Sequence, residues 1–131
     1  MLDNKLHLSI TTPQGNIFDN YIAFVNLPGI EGEFEVYPQH ASLLSLLDAG
    51  VITITTTDSK EEDIAIDWGY VKVEETKVSI LIDNAVFISG NSDGEISKSL
   101  EAAKNLLESA KSQNSNIAAL KAKVDRVARK H

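Results

Sequence analysis

A single change of period divides this chain. Up to Gly90 its apolar residues alternate, one in and one out; beyond Gly90 they recur at spacings of three and four. Alternation lets an extended strand bury one side and wet the other, and a repeat near 3.6 does the same for a helix. The chain must therefore build an all-strand part first and an all-helix part second. Residues 5–12 set Leu6, Leu8 and Ile10 against Lys5, His7 and Ser9, which predicts a half-buried strand. Pro13-Gln14-Gly15-Asn16 reads as a turn, with Ile17-Phe18 starting the return. Residues 21–27 (YIAFVNL) read as a second apolar strand, stopped by Pro28-Gly29.

Residues 33–37 alternate again, with Phe34 and Val36 opposite Glu33 and Glu35. Residues 51–57 (VITITTT) are rich in β-branched side chains, which suit a pleated surface. After a polar tip at residues 58–62 the next strand places Ile64, Ile66 and Trp68 on one face, and Gly69 interrupts it as a bulge. Residues 70–73 and 77–82 form a hairpin about Glu74-Glu75-Thr76, and residues 85–88 close the series. Short strands joined by turns, with no helix between them, predict a mostly antiparallel sandwich or flattened barrel.

Ser92-Asp93-Gly94-Glu95 fits a capping box, with Ser92 as N-cap and Glu95 reaching back. Ile96, Leu100, Ala103, Leu107 and Ala110 then make a helical stripe. Residues 112–116 (SQNSN) break it, and a second stripe runs through Ile117, Leu120, Val124 and Val127. Two amphipathic helices joined by a short loop pack as an antiparallel hairpin. The fold class expected is α+β: an antiparallel β-sandwich over residues 1–90, then a two-helix hairpin over 91–131. Both stripes are narrow and rich in alanine, so the hairpin needs a surface to lean on and is able to detach.

The formal charge of −7 is unevenly spread. From Ile117 onward Lys121, Lys123, Arg126, Arg129 and Lys130 face one acid, Asp125, for a net +4, which leaves −11 on residues 1–116. A basic tail on an acidic body points to an acidic protein surface or to docking on the chain itself. Nucleic acid is disfavoured, because the body repels it and the tail carries no aromatic side chain for stacking. No run approaches the roughly 18 apolar residues of a membrane span, and the first residues have neither a signal peptide's apolar core nor a transit peptide's Arg-rich bias.

Little in the sequence speaks for catalysis. There is no cysteine, hence no thiol nucleophile and no thiolate metal site. There is no phosphate-binding glycine loop and no nucleophile-elbow motif. His7, His40 and His131 are scattered, and Glu61-Glu62-Asp63 reads as a solvated hairpin tip rather than a metal cage. The residues by themselves describe an interaction or regulatory module, with no catalytic residue, cofactor or metal. A carbohydrate- or peptide-binding sandwich would need an aromatic platform, and the eight aromatic residues are dispersed.

The densest stretch is residues 29–50, GIEGEFEVYPQHASLLSLLDAG. Its leucines are expected to fill the core behind a proline corner. Gly32, Glu33, Phe34, Val36, Pro38, His40, Ala41, Leu43, Leu44 and Gly50 fill a pattern that resembles the ε subunit of F-type ATP synthases. The resemblance extends over the whole chain, from the first strands to the final hairpin. It implies a non-catalytic rotor subunit of the central stalk, coupling proton flow through the ring of c subunits to ATP synthesis. The sandwich would bind the γ subunit, with Pro38, His40 and Ala41 at the corner near γ, and His40 as a structural histidine. Ile30, Glu31 and Gly32 would face the c-ring. The hairpin would fold on the sandwich or extend along γ and inhibit ATP hydrolysis. Extended, it would present Lys121, Lys123, Arg126 and Arg129 to an acidic segment of the catalytic α/β head. The implied location is peripheral, on the cytoplasmic face of a bacterial plasma membrane, with a plastid subunit as the variant; an unrelated β-sandwich interaction module is the alternative.

One departure stands out. Many bacterial members hold ATP through an Ile/Leu-Asp-x-x-Arg-Ala motif at the start of the first helix. The matching stretch here is Ile96-Ser97-Lys98-Ser99-Leu100-Glu101, and the Asp, Arg and Ala are all replaced. Without a guanidinium a triphosphate loses its bidentate partner, so ATP binding is expected to be weak or absent.

Overall fold

The computed structural model describes residues 5–88 and 94–110. Ten strands precede one helix: β1 (Leu6–Thr12), β2 (Gly15–Ile22), β3 (Phe24–Gly29), β4 (Gly32–Val36), β5 (Leu43–Leu47), β6 (Gly50–Thr55), β7 (Glu61–Ile66), β8 (Gly69–Val73), β9 (Lys77–Ile82) and β10 (Ala85–Ile88), then α1 over residues 94–110. The hydrogen-bonded path runs β10-β7-β6-β3-β5-β8-β9-β1-β2, with β4 attached to β3. Between β3 and β5 it narrows to the single pair Gly29–Leu47. That seam divides the strands into two layers, β4-β3-β6-β7-β10 and β5-β8-β9-β1-β2. The strands therefore form the expected sandwich, and a helix follows it. The second helix of the hairpin and the cap at Ser92 lie outside the described residues.

The alternation in the sequence builds the core. Leu6, Leu8 and Ile10 of β1 are fully buried, as are Ile52 and Ile54 of β6, Ile64 and Ile66 of β7, and Val71 of β8. They form one cluster that also takes in Val25, Leu27, Val36, Leu47, Val78 and Ile80. Deleting a side chain such as Leu8 to alanine from a packed interior of this kind costs about 2–5 kcal/mol.

Four local expectations need correction. The run 21–27 is not one strand. At Ala23, whose N–H donates to the Thr55 carbonyl at 2.9 Å, the chain leaves its partner β1 in one layer and joins β6 in the other. Apolar sequence continued while the partner changed. Nor does Pro28 stop β3, because the β6 ladder ends at Asn26 and no neighbour there asks for the missing N–H. As expected, the sheet is mostly antiparallel; among the described ladders β1 and β9 alone run parallel, with Leu8 beside Val78. Gly69 is not a bulge: it opens β8 in regular register with Leu47 and Ile82. Its missing side chain makes room, since a Cβ there would lie 2.4 Å from the Leu81 carbonyl oxygen. Trp68 does not continue the buried face of Ile64 and Ile66. β7 ends at Ile66, and Trp68 is exposed.

Candidate interaction face

The leucines of residues 43–47 divide between two surfaces. Leu47 is buried and Leu43 packs against the core. Leu44 and Leu46 are 69% and 52% exposed, which overturns the expectation that all four fill the interior. The cause is β5 itself: the segment is a strand, so alternate residues point outward. A run that is apolar at both parities gives no sign of which side is wet.

Register extends this outward side across its whole layer. Leu46 lies opposite Tyr70, Tyr70 opposite Leu81, and Leu81 opposite Thr11. The next row joins Leu44, Lys72, Ser79, Ser9 and Asp19. A third joins Lys77, His7 and Tyr21. One exposed face of β5-β8-β9-β1-β2 therefore grades from apolar to charged. At the apolar end Leu46, Tyr70, Leu81 and Trp68 are all more than two-fifths exposed. Trp68, Tyr70 and Leu81, with Pro13, line an apolar hollow of about 180 Å³. Contiguous exposed apolar surface of this kind marks an interaction site rather than ordinary scatter.

The apolar end is held by a buried carboxylate that sequence reasoning missed. Asp67 is 4% exposed. Its oxygens accept from the Trp68 N–H at 2.8 Å, the Asn84 N–H at 2.9 Å and the Asn84 side-chain amide at 2.9 Å. A buried acceptor so satisfied fixes the corner that carries Trp68. A lone Asp between two apolar residues was the available signal.

The outer face of the other layer is different. Glu35, Asn26, Thr53 and Asp63 form one row, and Phe24, Thr55 and Glu61 another. Thr53 donates to Asp63 at 2.8 Å. Tyr37 donates to Glu35 at 2.5 Å and stacks on Phe24, ring centroids 4.7 Å apart. The Glu35 carboxylate, by hydrogen bond first and with minor help from desolvation and charge, holds the Tyr37 phenol above its ordinary value of 10.0. Among the described residues no group of three or more His, Asp or Glu side chains could hold a metal ion.

The sequence-derived site residues fall at separate places. Ile30 and Glu31 form the exposed tip of the β3–β4 hairpin, with Gly32 at φ +130°. Pro38, His40 and Ala41 lie past the other end of β4; at about 3.3 Å per residue that strand separates the two groups by roughly 16 Å. The His40 Nδ1–H donates to the Ala41 carbonyl at 2.7 Å. Gln39, at φ +70°, donates its N–H to the Glu75 carbonyl at 2.6 Å, tying the corner to the β8–β9 turn. The corner therefore borders the graded face at one side, and the hairpin tip reaches it at another, where the Ile30 N–H donates to the Leu46 carbonyl at 3.0 Å. Ile96 and Lys98, in the stretch matching the nucleotide motif, are exposed on α1. Lys121, Lys123, Arg126 and Arg129 lie outside the described residues.

Fold and face together define a class: a β-sandwich docking module followed by helix. The family described as the ATP synthase Delta/Epsilon chain β-sandwich domain matches residues 5–88. An ATP synthase epsilon chain of Campylobacter concisus is 53% identical over 126 residues, covering 96% of this chain and 98% of the relative. That of Aliarcobacter butzleri is 48% identical over 93% of this chain and 97% of its own length. In the Euglena gracilis mitochondrial ATP synthase (OSCP/F1/c-ring) one chain aligns with a TM-score of 0.65 at 21% identity, covering 80% of this chain and 67% of that one. A chain of the Tetrahymena thermophila central stalk/c-ring aligns at 0.54 and 18% identity, covering 81% and 96%.

The chain belongs to the ATP synthase epsilon family, whose members are non-catalytic subunits of that complex. Family membership displaces the alternative of an unrelated sandwich module. No helix among the described residues is long and apolar enough to cross a membrane.

Proposed function

We propose that this chain is a central-stalk subunit of a proton-translocating F-type ATP synthase. The graded face of β5-β8-β9-β1-β2 docks on the γ subunit, and the Ile30-Glu31-Gly32 tip meets the c-ring. Seated on both, the subunit turns with the rotor and couples ring rotation to ATP synthesis. It lies peripherally, on the cytoplasmic face of the membrane. Residues 91–131 form a regulatory hairpin that restrains ATP hydrolysis, with Lys121, Lys123, Arg126 and Arg129 meeting acidic groups of the catalytic head. The observation that carries the reading is the row Leu46–Tyr70–Leu81, which leaves large apolar side chains in water on one layer of a family built for assembly. The two solved ATP synthase assemblies with a chain of the same fold, both containing a c-ring and one described as a central stalk, support it.

Mixing with γ tests the reading. The full chain and a chain lacking residues 92–131 should both co-purify with γ. The complex assembled without the hairpin should keep synthesis and hydrolyse ATP at an unchanged or higher rate. Failure of both chains to bind γ would refute the stalk role, and collapse of assembly on truncation would make the hairpin structural. The hairpin binds ATP weakly or not at all, because the Ile96–Glu101 stretch offers only the Lys98 point charge; micromolar ATP binding by calorimetry would contradict this.

A further inference from the structure

The charged end of the graded face has a feature the apolar end does not explain. The described part of the sandwich holds four lysines and no arginine: Lys5, Lys60, Lys72 and Lys77. Lys60 pairs with Asp58 and Lys72 with Glu74, each at 3.7 Å. The other two have no carboxylate within 4.0 Å among the described residues, and both line the same open cleft of about 670 Å³. His7, Tyr21, Gln39 and Thr76 complete its lining. The Lys5 ammonium stands 6.0 Å from the Tyr21 ring centroid. Asp19, the acid that shares this face, is engaged by His7, Nε2 to Oδ1 at 2.5 Å; on its other side Lys5 borders a second open hollow with Asp58 and Glu62. On a body that is otherwise strongly acidic, the two lysines without an ion pair among the described residues are gathered in one place.

We propose that this cleft clamps a carboxylate-bearing segment of the γ subunit. The inference rests on the reading that the graded face receives γ, and it names the chemistry at the face's second end. The cleft is shallow, so it buries too little of a free small molecule to hold one tightly. A side chain delivered by a partner already seated on the Leu46–Tyr70–Leu81 row binds as an intramolecular group and needs only weak affinity of its own. The chain's own tail beyond Ile117 is basic and would be repelled. Gln39 links the cleft to the Pro38–Ala41 corner, so the clamp is continuous with the rest of the proposed interface. Apolar anchoring at one end and charge at the other fix both affinity and orientation.

The test compares full-length chains binding to γ at low and high salt. The double variant Lys5→Gln/Lys77→Gln should bind about tenfold more weakly at low salt and lose most of the salt dependence, with an unchanged thermal melt. Leu46→Ser should weaken binding at every salt concentration and keep the wild-type salt slope. A double variant that binds γ with wild-type affinity and slope would overturn the clamp while leaving the docking face intact. So would a wild-type dimer that the double variant abolishes without touching γ binding, because the cleft would then serve a second copy of this chain. Absence of γ binding by the wild-type chain would overturn the stalk role and the clamp together.

Discussion

The two layers of the sandwich share one core and differ in what they show to water. The layer β5-β8-β9-β1-β2 presents leucines, Tyr70 and Trp68 at one end and unpaired lysines at the other. The layer β4-β3-β6-β7-β10 presents Glu33, Glu35, Glu61 and Asp63 among threonines and asparagine. Inward residues of both are equally apolar, so stability does not require the difference. On the second layer the exposed Tyr37 is already engaged, stacked on Phe24 and bonded to Glu35; the larger row of apolar groups left in water on the first calls for a partner to cover it.

The largest effect expected from this contrast is on binding. Leu46→Asp should weaken the γ complex by about 3 kcal/mol, roughly a hundredfold, since it puts a charge in the middle of an apolar contact. Its melting temperature should barely move, because Leu46 is already exposed. Equal loss from Glu35→Gln would erase the distinction between the faces. Next is the support under the apolar end. Asp67→Ala leaves two N–H groups and the Asn84 amide without their acceptor and should cost about 2 kcal/mol of stability by denaturant unfolding. An unchanged midpoint would mean that water replaces the carboxylate.

The smallest effects belong to the acidic face. Glu35→Gln or Glu61→Gln should alter γ affinity by less than about 0.5 kcal/mol. Glu35→Gln should also let Tyr37 ionise closer to 10.0, seen as an earlier tyrosinate absorbance band. The sign follows from the raised phenol: the Tyr37–Glu35 bond contributes below the ordinary tyrosine range and is lost as pH rises through the folded-state value. An alkaline titration in which the variant matches wild type would mean that the bond is not kept in solution.

Much of the fold could be read from the chain. Leu6, Leu8 and Ile10, or Ile52 and Ile54, announce a buried side by simple alternation, and the change of period near Gly90 announces the helix. The face could not be read. Leu43–Leu47 is apolar at both parities, and parity says nothing until the partner strand is known. The β8–β9 hairpin brings Tyr70 beside Leu81, but Leu46 joins them only through the pairing of β5 with β8, strands separated in sequence by β6 and β7. The change of layer at Ala23 was hidden for the same reason: YIAFVNL stays apolar while its neighbours change. Lys5 and Lys77 were ordinary surface lysines until the parallel pairing of β1 with β9 placed them around one cleft. Local pattern reports which residues are buried, and tertiary pairing decides which exposed residues share a surface.

Oxidative footprinting of the full chain, free and bound to γ, tests the central claim most directly, because both faces are read in one sample. Leu46, Trp68, Tyr70 and Leu81 report on one face, Phe24 and Tyr37 on the other. Binding should protect the first set and leave the second unchanged; protection of Phe24 and Tyr37 with continued labelling of Tyr70 and Trp68 would contradict the account.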